Sequence, residues 1–215
     1  MARKIRSYES DELTVDYDAK RCIHAEACVH GLPGVFDASR RPWIDPNAAN
    51  ADELIEVIER CPTGALQYRL RSGEGGERPP GSNTCRVGAD GPLYLHGSLR
   101  ITLPDGETME ETRAALCRCG HSKDKPFCDN SHQEAGFSHD GELGEGRLVP
   151  KDQEQSELDV SFATNGPILV RGPLRLTAQS GAECEGQSGA LCRCGLSAAK
   201  PFCDGAHKSA GFMAE

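Results

Sequence analysis

Cys117-Arg118-Cys119-Gly120-His121-Ser122-Lys123-Asp124-Lys125-Pro126-Phe127-Cys128-Asp129-Asn130-Ser131-His132 returns 75 residues later as Cys192-Arg193-Cys194-Gly195-Leu196-Ser197-Ala198-Ala199-Lys200-Pro201-Phe202-Cys203-Asp204-Gly205-Ala206-His207. Both stretches read Cys-x-Cys-x8-Cys-x3-His. Aligning them sorts ligands from bystanders. His121 becomes Leu196, Cys85 aligns with Val160, and Cys184 aligns with Met109, whereas three cysteines and one histidine are kept. Each set puts four soft or borderline donors in a 16-residue window, enough for a tetrahedral ion or a binuclear cluster. Structural zinc sites usually use Cys-x2–4-Cys hairpins. Cys-x-Cys instead sets two thiolates on one short extended loop, suited to clasping one iron. Cys128 and His132 lie one helical turn apart and could clasp a second, and Cys203 and His207 repeat the arrangement. Asp129 and Asp204 are placed as N-terminal helix residues, where N–H groups and the helix dipole would favour an anionic cluster.

The match runs without a gap from Gly91–Phe137 onto Gly166–Phe212, with 24 of 47 positions identical, which marks duplicated units. In each unit two short apolar strands flank a glycine, Gly97 or Gly172. A polar turn follows at Asp105-Gly106 or Ser180-Gly181, then a third strand runs into Leu116 or Leu191. A short helix is predicted after Cys128 and after Cys203. Units with strands this short are marginal alone. They are predicted to pack as a pseudo-two-fold pair sharing one sandwich.

These motifs resemble the CDGSH iron–sulfur proteins, whose pattern is Cys-x-Cys-x2-Ser/Thr-x3-Pro-x-Cys-Asp-Gly-Ser/Ala/Thr-His. The second copy fits throughout, and the first departs once, with Asn130 for Gly. Asn is the non-glycine residue that best tolerates positive φ. The resemblance implies a 2Fe-2S cluster in each copy. Cys117 and Cys119 would bind the inner iron, and Cys128 and His132 the outer one. Cys192, Cys194, Cys203 and His207 would follow suit. Single-motif members form intertwined dimers with two clusters, so this chain would make that pair internally, as a monomer.

Residues 1–70 read as a separate module. Leu13-Thr14-Val15-Asp16-Tyr17 alternates like a strand. Residues 51–60 read as a helix capped by Asn50 or Asp52, with Leu54, Val57, Ile58 and Cys61 on one face, and residues 65–70 as a closing strand. Cys22, Cys28 and the Cys61-Pro62 pair resemble single-cluster bacterial ferredoxins, with Ala25 at the second ligand position. By that resemblance three thiolates would hold a 3Fe-4S cluster. A 4Fe-4S cluster would need His24, Glu26 or water as fourth ligand, and His24 reads more simply as a surface residue. His30, His96 and His139 carry no motif and read as surface or loop residues, and Trp43 as core.

The expected fold class is therefore α+β: a small ferredoxin-like α+β domain (1–70), a linker (71–82), and two β-rich, loop-rich, cluster-stapled units (83–140 and 158–215) joined by residues 141–157. Hydrophobic residues make up 37% and aromatics 5%, too little for a thick core without staples. No secretory signal opens the chain and no run is long and apolar enough for a membrane span. A reducing, cytoplasmic setting is expected, in which the 11 cysteines serve as thiolates rather than disulfides. The net charge of −9 argues against nucleic acid and anionic membranes as partners, and fits docking to a basic patch on another protein.

Without a nucleophile–base pair or nucleotide fingerprint, no enzyme is expected. Electron transfer to a redox partner is the leading expectation. Cluster donation to an apo-acceptor, or redox and pH sensing, comes next, and a zinc-stapled interaction module after that. An oxidised 2Fe-2S core with three thiolates and a neutral imidazole carries about −1, against about −2 for an all-cysteine site, so reduction is easier. The same imidazole can be taken by protons. Cluster loss is expected to quicken below about pH 6, near the free histidine pKa. Decay of visible absorbance against pH checks this, and equal decay in His132→Cys and His207→Cys proteins would refute it.

Overall fold

The computed structural model describes residues 5–73, 75–150 and 156–214. The chain divides into two compact units, residues 1–78 and 79–215; strands and helices are balanced in the first and strands dominate the second. No helix among the described residues is long and apolar enough to cross a membrane.

In the first unit β1 (Ile5–Glu9), β2 (Leu13–Asp18) and β3 (Leu66–Leu70) form an antiparallel sheet in that order. β2 buries Leu13 and Val15 against α2 (Ala51–Glu59), which presents Leu54, Val57 and Ile58 at helical spacing. The Asn50 side chain caps α2 by accepting the Glu53 N–H at 2.9 Å. β1 and the one-turn helix α1 (Ala27–Gly31) go beyond the sequence expectation. β1 is an edge strand with an exposed face, and α1 starts from Glu26 in a left-handed conformation without a side-chain cap. Neither leaves a hydrophobic or capping signal.

The second unit holds β4 (Thr84–Val87), β5 (Leu93–Thr102), β6 (Thr108–Leu116), α3 (Ser131–Glu134), β7 (Leu158–Phe162), β8 (Ile168–Thr177), β9 (Glu183–Leu191) and α4 (Ala206–Ser209). The two short strands expected around Gly97 are one ten-residue strand, β5, and those around Gly172 are β8. The glycine does not break the strand; it bulges it where the pairing partner changes. β5 pairs antiparallel with β4 over Leu93–His96, then parallel with β7 of the other repeat over Leu99–Ile101. β8 does the reverse, pairing with β7 over Ile168–Arg171 and with β4 over Arg175–Thr177. Its register against β9 shifts between Arg171 and Leu174, and that of β5 against β6 between His96 and Leu99.

Only glycine fits at these crossings. A Cβ on Gly97 would collide with Asn83, and one on Gly172, at φ +117°, with the Glu157 carbonyl. The exchange gathers Leu93, Leu95, Leu99 and Ile101 with Ile168, Val170, Leu174 and Leu176 into one buried core. Leu148 joins it from the segment between the repeats, seated over Gly186 and Gly189.

Asn83 ties the crossing together. Its Nδ2 donates to Ser156 O and Pro173 O at 2.9 and 3.0 Å, and its Oδ1 accepts the Ser98 N–H at 2.8 Å. Asn83→Ala strands these groups in a site that is 4% exposed. The expected loss is about 2–4 kcal/mol, from about 1–3 kcal/mol per stranded buried group. Denaturant unfolding of the second unit's near-UV signal measures it.

Candidate metal centres

Each Cys-rich loop hangs from the end of a long hairpin. Cys117 N–H donates to Pro126 O and Cys128 N–H to Ala115 O, both at 2.9 Å, folding the loop back beside β6. Cys192 N–H to Pro201 O (2.7 Å) and Cys203 N–H to Ala190 O (2.9 Å) repeat this beside β9. Ser122 and Ser197 hydroxyls donate across their loops to Phe127 O and Phe202 O, each at 2.7 Å. Asp129 accepts the Lys123 and Ser131 N–H groups, and Asp204 those of Ala198 and Ala206. The caps of α3 and α4 are not these aspartates but Asn130 (φ +71°) and Gly205 (φ +91°), both left-handed. Each helix is a single turn, so the expected dipole contribution lacks the length to matter. The aspartates serve as clasps on the ligand loop.

These loops set the donors in pairs. Cys117 Sγ lies 3.6 Å from Cys119 Sγ, and Cys192 Sγ lies 3.8 Å from Cys194 Sγ. Cys128 Sγ lies 3.5 Å from His132 Nδ1, and Cys203 Sγ lies 3.4 Å from His207 Nδ1. Two thiolates sharing one tetrahedral metal at about 2.3 Å stand about 3.8 Å apart, and a thiolate–imidazole pair about 3.5 Å. All four pairs match the bite of one metal each. Among the described residues no three His, Cys, Asp or Glu donors gather where a single ion could hold them.

The two loops also meet one another. Cys119 and Cys194 form an antiparallel bridge. Gly120 and Gly195 sit at φ +86° and +82°, and a Cβ on either would come within 2.8 or 2.7 Å of the opposing carbonyl, Cys194 O or Cys119 O.

In the first unit Cys22, Cys28 and Cys61 line one cavity of about 550 Å³, together with His24, Tyr17 and Trp43. All three cysteines are half-buried and unbridged. The Tyr17 hydroxyl is hydrogen-bonded to Cys22, and burial with that bond pushes its pKa well up. Burial likewise raises the Cys28 thiol, with Cys61 and Cys22 close enough to add to the shift.

The pattern described as the CDGSH-type iron-binding zinc finger matches residues 90–133 and 165–208, and that of a divergent 4Fe-4S mono-cluster matches residues 8–71. The second half of the chain thus carries two units of the CDGSH iron-binding type. The first module belongs with the divergent mono-cluster proteins. It is 36% identical over 64 residues to proteins named "Uncharacterized protein YjdI" from Escherichia coli K12 and O157:H7, spanning 30% of this chain and 84% of theirs. No solved structure matches.

Both CDGSH motifs carry an arginine that sequence reasoning passed over, although its identity in the two copies was a usable signal. Arg118 and Arg193 are each 1% exposed. Arg118 donates to Gly91 O at 2.7 Å, to Gly88 O, and to His139 Nδ1 at 3.0 Å. Arg193 donates to Gly166, Ala163 and Ala214 carbonyls, each at 3.0 Å. Each guanidinium feels an inner cysteine of the opposite CDGSH motif: Arg118 feels Cys192, and Arg193 feels Cys117. His139 is therefore a support for Arg118, not the bare loop residue expected.

The Cys-x3-His pairs differ in burial between copies. Cys128 and His132 are 3% and 9% exposed, whereas Cys203 and His207 are half-buried. As a free thiol Cys128 is pushed up to about 11, mainly by burial. Burial holds the His132 imidazole below its ordinary value. Protons therefore compete for that nitrogen only at lower pH. Cys117 is lowered to about 6 because Cys119 donates to it, and Cys119 is correspondingly raised.

Because the loops meet at glycines, damage to one motif should reach the other. Gly120→Ala is expected to cut iron retention at both CDGSH sites, not just its own. Iron counting on Gly120→Ala in a chain whose first motif is already emptied by Cys117→Ala isolates the effect on the second.

Proposed function

We propose that this chain is an electron-transfer protein that uses two Cys3His 2Fe-2S clusters and a further cluster at Cys22, Cys28 and Cys61. The pairwise spacing of the donors carries this reading. In each CDGSH copy two pairs have the bite of one tetrahedral metal, and the pairs do not converge on a common ion. That suits two bridged irons and fits a single zinc poorly. A 2Fe-2S cluster supplies a one-electron couple.

The chain's own residues tune that couple. His132 and His207 bring no negative charge, and Arg118 and Arg193 place fixed positive charge inside the fold. Both effects favour the reduced form. Reciprocal exchange of β4 and β7 supports reading the duplicated half as a pseudo-two-fold pair within one chain. The net charge of −9 favours a partner with a basic face. No catalytic step is assigned.

A second reading, cluster donation, has one observation in its favour. The outer ligands of the second copy, Cys203 and His207, are more open to solvent than their counterparts. An acceptor's thiols would reach that site first.

Anaerobic protein should hold acid-labile sulfide and more than four irons, and should give a reduced 2Fe-2S EPR signal at potentials above those of plant-type ferredoxins. A colourless, sulfide-free zinc protein ends the proposal. Mixed with an apo-ferredoxin, an electron carrier keeps its clusters. Rapid transfer, lost in Cys203→Ser protein and kept in Cys128→Ser protein, would favour donation.

A further inference from the structure

A four-iron cluster needs four protein donors, and the first module offers three thiols. Every residue from Cys22 to Cys28 lines the same cavity, so the segment curls around it. The curl comes from two non-glycine residues in left-handed conformations, His24 at φ +54° and Glu26 at φ +59°, on either side of Ala25. Such backbones cost energy and gather at functional sites. Ala25 stands where the second cysteine of a ferredoxin loop would be, and its methyl is no ligand.

Tyr8 and Tyr17 also line the cavity, as phenols, which are weaker donors to iron than an imidazole, and the remaining side-chain oxygens there have partners. The Tyr17 hydroxyl is hydrogen-bonded to Cys22. Glu26 Oε2 lies 3.7 Å from His30 Nε2, one turn along α1, with both side chains mostly exposed. The Thr63 hydroxyl is taken up by the Ala65 N–H at 3.1 Å and by Cys61 Sγ at 3.5 Å. His24 also lines the cavity; it is exposed, as Glu26 is, but forms no hydrogen bond or ion pair with another described residue. It sits beside the missing cysteine's position, and an imidazole reaches further than a thiol.

We propose that a ring nitrogen of His24 is the fourth ligand, closing a 4Fe-4S cluster with Cys22, Cys28 and Cys61. This rests on the first module being a cluster site at all. The nitrogen would offer its lone pair to the one iron that the three thiolates leave without a protein ligand, and no other bond would break. All three clusters of the chain would then share one design, three thiolates and one neutral imidazole.

Iron and sulfide counting with EPR on the full chain, prepared without oxygen, tests this. Oxidised 2Fe-2S and 4Fe-4S clusters are EPR-silent, whereas an oxidised 3Fe-4S cluster is not. Wild type should hold about eight irons, four of them in the CDGSH pair, and be silent when oxidised. His24→Ala should lose one iron and gain the three-iron signal. His24→Cys should restore eight and lower the potential of that cluster alone. A wild type with seven irons and the three-iron signal overturns the proposal, as does His24→Ala protein with eight irons and an unchanged potential. A wild type with only four irons overturns the cluster reading of the first module, and the ligand with it.

Discussion

At Gly97 and Gly172 two strands change partners, and the rest of the CDGSH half depends on that exchange. β4 completes the end of β8, and β7 completes the end of β5. Neither repeat can satisfy its own backbone or bury its own apolar face without the other. The exchange turns the two hairpins so that the Cys-x-Cys loops leaving their open ends meet at Cys119 and Cys194. A metal group bound at one loop therefore holds a segment that the other loop rests on. In a chain with so little apolar core, such ligation is folding energy as well as chemistry.

Much of this was legible in the sequence because the repeat supplies its own comparison. The eight CDGSH donors, the hairpins ending at Leu116 and Leu191, and α2 with its Asn50 cap can each be read from spacing, periodicity or capping chemistry. Other features were not legible, for physical reasons. The partner of a strand is not encoded in its own alternation, so the switch at Gly97 looked like a break between two strands. Leu148 sits in a polar stretch with no period, yet it fills the groove left by Gly186 and Gly189. In the first module the segment Cys22–Cys28 obeys no helix or strand period. Its shape follows from left-handed residues that only the folded backbone reveals.

Two sets of thiolates brought together by these loops would repel one another in a medium of low dielectric if nothing opposed it. The buried arginines answer this. A guanidinium that is 1% exposed needs hydrogen-bond acceptors, and backbone carbonyls supply them in both copies, Arg193 Nη1 alone being left without one among the described residues. Held this way, each charge lies near the inner cysteine of the opposite motif. The arginine that belongs to one loop by sequence thus serves the other by position. This explains why it is kept in both copies while its neighbour at position 121 or 196 is free to be His or Leu.

Joining the two motifs in one chain also removes a restriction that symmetry would impose. In a homodimer both sites must be alike. Here Tyr94, with Arg86 stacked on its ring at 4.3 Å, lies near Cys128, whereas its counterpart Leu169 is 41% exposed. Both positions lie on β5 and β8, one strand removed from the segments that carry Cys128 and Cys203. His139, which supports Arg118, is replaced in the second copy by the Ala214 carbonyl supporting Arg193. The duplicated scaffold keeps the ligand geometry fixed through its shared core and lets the shell around each site diverge. Two sites with the same donors can thereby differ in solvent access and in ease of protonation, which a symmetric pair cannot achieve.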